Sequence, residues 1–156
     1  FKPMYRDYCE LAHAHGKAVF MHSDGCITEI YPDLVEIGVD ALNSQLFVMD
    51  MGELARIAKG KMTFWGEIDR QHVLTDPDPD VARAAVRRVA AACYDPRGGI
   101  IAQFEMGPGA VAAAAFAVMN EWRCVEEESL GRTMEPVPPF SSAADAVQPG
   151  SIRSPK

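Results

Sequence analysis

Gly16-Lys17-Ala18-Val19-Phe20-Met21-His22-Ser23-Asp24-Gly25 places a helix stop, a short apolar run and a polar turn side by side. Upstream of Gly16, Lys2 to His15 carries Tyr5, Tyr8, Leu11 and Ala12 at helical spacing, and the glycine stands where a C-terminal cap belongs. The run Lys17-Ala18-Val19-Phe20-Met21 is too short for a helix and suits a buried parallel strand that ends at His22. Helix, glycine, strand and polar end together make one α-then-β step of a parallel fold.

The same step recurs downstream. Thr28 to Glu36 brings Ile30, Tyr31, Leu34, Val35 and Ile37 onto one stripe, closed by Gly38, and Val39-Asp40-Ala41-Leu42-Asn43 follows as a second strand. Asp50 caps a helix that runs to Lys59; after Gly60 comes a third strand, Met62-Thr63-Phe64-Trp65, stopping at Gly66. Cap formers and prolines at Thr75-Asp76-Pro77-Asp78-Pro79 precede an Ala- and Arg-rich helix from Val81 to Tyr94. Gly98 and Gly99 open a fourth strand, Ile100-Ile101-Ala102-Gln103-Phe104, and an Ala- and Val-rich helix runs from Ala110 to Val125. Four strand-then-helix units joined by right-handed crossovers give an α/β fold, built as an open sheet or as part of a barrel. The reading divides the chain into an α/β unit over 1–125 and a polar, Pro- and Ser-rich tail over 126–156, expected to be disordered.

Composition narrows the function classes. With 156 residues, 48% hydrophobic, the chain can bury one core. A formal net charge of -7 with scattered Lys and Arg offers no footprint for nucleic acid. No apolar run reaches the ~18 residues of a membrane span. The four cysteines, Cys9, Cys26, Cys93 and Cys124, form no C-x-x-C pair and read as reduced thiols, Cys26 most simply as a small buried residue, in a cytoplasmic protein. Without an initiator Met or signal pattern before Phe1, the chain is expected to be a fragment.

Parallel α/β folds bind ligands beyond the carboxyl ends of their strands. Those ends read His22-Ser23-Asp24-Gly25, Asn43-Ser44-Gln45, Gly66-Glu67-Ile68-Asp69 and Gln103-Phe104-Glu105-Met106-Gly107. In an extended segment His22 and Asp24 share a face, so imidazole and carboxylate converge on a metal or a proton, or Asp24 simply caps the turn. Zinc takes N and O donors and a catalytic zinc site uses three, so Glu105 is the expected third ligand beside His22 and Asp24; an Arg nearby is the alternative partner for Glu105. Asn43, Gln45, Trp65, Glu67 and Gln103 are expected to line the substrate pocket. The plainer roles are a solvated loop for Glu67 and Asp69, and loop-to-loop hydrogen bonds for Asn43 and Gln45. His13, His15 and His72 are expected at the surface.

Taken with Pro32-Asp33-Leu34-Val35-Glu36-Ile37-Gly38-Val39-Asp40-Ala41-Leu42-Asn43, Phe64-Trp65-Gly66-Glu67-Ile68-Asp69 and Gly98-Gly99-Ile100-Ile101-Ala102-Gln103, these segments resemble the uroporphyrinogen decarboxylase superfamily. The resemblance covers about residues 1–125 and implies the C-terminal half of a (β/α)8 TIM barrel, its last four units, with an N-terminal half as the missing partner. It implies one of two chemistries. Corrinoid-dependent methyltransferases of the superfamily hold zinc with a His-x-Cys pair and a later Cys; here His22 matches, Asp24 replaces the first Cys, and Gln103-Phe104-Glu105 contains none. That reading gives zinc or another divalent metal on His22, Asp24 and Glu105, a metal-activated thiol or methyl donor, and a corrinoid protein as partner. The porphyrinogen decarboxylases are metal-free and carry a His-Gly segment after the last strand, where this chain has Glu105-Met106-Gly107. Methyl transfer is the favoured expectation, decarboxylation the alternative, and a non-catalytic degenerate barrel the third.

Overall fold

The computed structural model describes residues 1–131 and 133. Helix α1 (Lys2–Ala14) leads into four βα units: β1 (Phe20–Ser23) and α2 (Tyr31–Glu36), β2 (Ala41–Ser44) and α3 (Met51–Ala58), β3 (Thr63–Glu67) and α4 (Pro79–Cys93), β4 (Ile100–Gln103) and α5 (Ala112–Leu130). The strands form one parallel sheet in the order β1-β2-β3-β4, the arrangement of part of a TIM barrel. This is the α/β class that the recurring glycine-strand pattern requires.

Local chemistry sets the element boundaries. Asp50 accepts the Glu53 amide at 3.0 Å and Asp78 accepts the Asp80 amide at 2.9 Å, so both carboxylates cap the helices that follow them. The stretch expected as one helix from Thr28 begins instead as a 3-10 turn, Thr28–Ile30, and becomes α-helical only at Tyr31. Pro32 explains the difference, because it has no N–H to return to the Thr28 carbonyl. Helix α5 runs to Leu130, where Gly131 ends it in the left-handed region at φ 63°. Residues 126–130, assigned to the tail by sequence, are therefore helical, and Glu128 pairs with Arg87 of α4 at 2.6 Å. The rest of the expected tail, apart from Gly131 and Thr133, lies outside the described residues.

The two faces of the sheet differ. Leu42 and Phe64 point to the helices and are fully buried in one core with Tyr31, Leu54, Val86, Val89 and Val118. Further along the same face, buried Ser44 exchanges a 3.0 Å hydrogen bond with the Tyr31 hydroxyl. Gly66 has no room for more, since a Cβ there would lie 2.9 Å from Leu46 Cδ1. The opposite face carries Phe20 and His22, Asn43, Trp65 and Glu67, and Ile101 and Gln103, aligned by the register His22↔Asn43↔Trp65↔Ile101 and Glu67↔Gln103. Phe20 is 61% exposed on that face and Ile101 36%.

Candidate active site

Strands β1 to β3 run one or more residues further than their expected runs, so His22 and Ser23 close β1, and Gly66 and Glu67 close β3, whereas β4 ends at Gln103, one residue before the expected Phe104. The polar residues are thus held by the sheet's ladder as well as by loops. In the row across the inner face, the Asn43 amide nitrogen donates to the Trp65 carbonyl at 3.1 Å and to Gln103 Oε1 at 3.0 Å. A backbone carbonyl only accepts, so the orientation of this amide is fixed and its Oδ1 must accept from His22 Nδ1 at 2.5 Å. The other ring nitrogen, Nε2, faces Asp24 Oδ2 at 3.4 Å. Both nitrogens therefore meet acceptors, and the His22 pKa is raised, first by the Asn43 bond, against burial as the next largest influence, and then by Asp24 and Glu67. Below this row Phe20 and Trp65 meet edge to face, 5.8 Å apart.

Above it sits a charged layer with Arg70 at its centre. The guanidinium bonds Glu105, and lies 3.6 Å from Glu67 and 3.8 Å from Asp24. Glu105 therefore has the arginine partner that the sequence left as its alternative, and Arg70 itself is the functional residue sequence reading passed over. Its only signal was its place three residues after Glu67. Glu67 is not the solvated loop residue of its plainer reading. As the last residue of β3 it is 5% exposed, and burial raises its carboxyl pKa; nearby Glu105 and Asp24 push the same way, while Arg70 and His22 oppose. A cleft of about 120 Å³ reaches it between Gln45, Phe47, Asp69 and His72.

The neighbouring residues hold loops in place. Gln45 Oε1 accepts the Gly25 amide at 2.8 Å, the plainer of the two roles expected of it. Burial pushes the Asp69 carboxyl up, but amide bonds from Gln71 and His72 and the His72 ring hold it below its ordinary range. His13, read as a surface residue with no partner nearby in sequence, bonds Asp40 at 2.8 Å. Cys26, expected buried, is exposed, and all four cysteines are free thiols.

The three expected metal ligands are not drawn to one point. Among the described residues no group of three or more His, Cys, Asp and Glu side chains is placed to hold a metal ion. The chemistry of the set agrees. Arg70 already supplies positive charge between Asp24 and Glu105, and each ring nitrogen of His22 already faces a side-chain oxygen, Asn43 Oδ1 or Asp24 Oδ2. Zinc on His22, Asp24 and Glu105 does not fit this arrangement.

The model of the family described as uroporphyrinogen decarboxylase (URO-D) matches residues 1–117, three-quarters of the chain. The chain belongs to the uroporphyrinogen decarboxylase family. None of the curated proteins matches it. The family match contains β1 to β4 and every residue of the inner polar row and the Arg70 layer, and no described helix is long and apolar enough to cross a membrane.

Proposed function

We propose that this chain carries an acid–base site of the uroporphyrinogen decarboxylase superfamily that acts by proton transfer in a carboxy-lyase type of reaction. The observation that carries the proposal is Glu67: a buried carboxyl with a raised pKa, at the end of a central strand, facing an arginine and an imidazole that favours its charged form. Such a carboxyl keeps its proton closer to neutral pH, which a general acid requires. Three carboxylates against Arg70 and a protonated His22 leave a formal charge of -1, and a proton on Glu67 brings the layer to zero. A neutral layer does not repel an incoming carboxylate.

The chemistry balances without a metal. Protonation of an electron-rich ring by Glu67 creates an electron sink; the bond to the carboxylate breaks, its electron pair flows into the ring, and carbon dioxide leaves. A second proton, held by His22, reaches the side-chain carbon, the proton first added to the ring returns to the Glu67 carboxylate and so restores the ring, and a solvent proton recharges His22. A carboxyl-bearing pyrrole of a porphyrinogen has the ring this step needs. Incubation with uroporphyrinogen, followed by separation of the products, tests the proposal. Carbon dioxide release that falls by about 100-fold in Glu67→Gln supports it, and release unaffected by that change contradicts it.

Methyl transfer with a corrinoid partner is the second reading, favoured by one observation, the approach of His22 Nε2 and Asp24 Oδ2 to 3.4 Å. It requires a third metal ligand beside that pair. Elemental analysis of the purified chain separates the two: one equivalent of a divalent metal lost in His22→Ala favours methyl transfer, and none favours the acid–base site.

A further inference from the structure

The cleft of about 120 Å³ that reaches Glu67 is lined by two polar groups that no other described residue satisfies. Glu67 is 5% exposed, yet its carboxyl accepts no hydrogen bond among the described residues; Arg70 stands 3.6 Å away and is itself bonded to Glu105. The carboxyl is not sealed off, because the Trp122 indole nitrogen is the one side-chain polar atom among the described residues that is both closed to solvent and without a partner. Gln45 shares the lining. Its Oε1 accepts the Gly25 amide, which fixes the orientation of the side chain and leaves its Nε2 donor without an acceptor among the described residues.

The charged members of the lining meet their counterparts within the protein. Arg70 holds Glu105, while Asp69 accepts the Gln71 and His72 amides and bonds the His72 ring. Phe47 and Val48 add an apolar wall. An unfilled acceptor and an unfilled donor, set among charges already paired, complement a neutral planar group that carries N–H and C=O together. The volume is that of roughly four waters, room for a carboxamide and the carbon that bears it. We propose that this cleft is a subsite for the carboxamide of a small molecule, whose N–H donates to Glu67 and whose carbonyl accepts from Gln45 Nε2. A carboxyl accepts in either protonation state, so this binding stands apart from the acid–base reading of the site. Where Glu67 is the proton donor, a seated amide competes with that transfer and inhibits it.

Acetamide, acetate and acetamidinium share one shape and are neutral, negative and positive in turn, so they test the choice of ligand directly. Each is titrated into the whole chain while NMR follows the Gln45 side-chain amide and the Glu67 carboxyl carbon, assigned with Gln45→Glu and Glu67→Gln. Acetamide is expected to shift both signals saturably and to bind about tenfold more tightly than either ion, the difference that one mismatched hydrogen bond makes. Gln45→Glu keeps an acceptor for the Gly25 amide but removes the donor and adds a negative charge. Its preference should therefore pass from acetamide to acetamidinium. Tighter binding of acetate or acetamidinium than of acetamide by the natural chain, the absence of any saturable shift, or a preference unchanged in Gln45→Glu would overturn the proposal.

Discussion

At the scale of single residues, the proton inventory of the site depends on one amide. Because Asn43 is locked by the Trp65 carbonyl, its Oδ1 has no choice but to accept, and His22 is held in the form that donates. Asn43→Ala is expected to bring the His22 pKa back toward its ordinary value near 6.5, followed by the imidazole carbon shift across a pH titration. The sign follows from the direction of the shift: a raised folded-state pKa favours the fold below the ordinary value, and that contribution is lost as pH rises through the folded one. Activity that needs the imidazolium falls over the same window. Glu67 obeys the same sign, since its carboxyl is also raised, so folding is favoured at acid pH and that gain is lost as pH rises through its folded value. Glu67→Gln should then unfold at pH 7 no more easily than the natural chain while losing activity, a separation that thermal melts and product assays read directly. Arg70 was not legible in the sequence because a lone arginine in a loop has no spacing signal. Only the fold brings Glu105 to it from another strand end.

Among the elements, the close contact at Gly66 fixes how β3 meets the loop after β2. Gly66→Val would push against Leu46 and Val89 in a full core, with an expected loss of about 1–3 kcal/mol in denaturant unfolding; a variant as stable as the parent would show that Leu46 moves freely. Tyr31→Phe strands the buried Ser44 hydroxyl and should cost about 1–2 kcal/mol by the same measurement. The helices and strands were readable from their capping carboxylates, terminal glycines and apolar spacing, as Asp50, Asp78 and the four short runs show. The strand ends were displaced, for a physical reason. Where a sheet's inner face forms a site, the apolar pattern stops before the hydrogen-bonded ladder does, so His22 and Glu67 look like loop residues while remaining paired in register.

For the molecule as a whole, the sheet has two edges unpaired among the described residues, at β1 and β4, and its inner face leaves Phe20 largely exposed. Parallel edges and an open apolar surface favour association, so sedimentation of the chain at micromolar concentration is expected to show self-association that Phe20→Lys or Ile101→Lys reduces. A single monomeric species over the whole range would contradict this. The acid–base account rests most heavily on the proton held by Glu67, which carbon-detected NMR of its carboxyl carbon follows through a pH titration. The account predicts a midpoint above the ordinary 4.5 of a glutamic acid, rising further in Arg70→Met as the opposing positive charge is removed. A midpoint at or below 4.5, unmoved by that substitution, would contradict it.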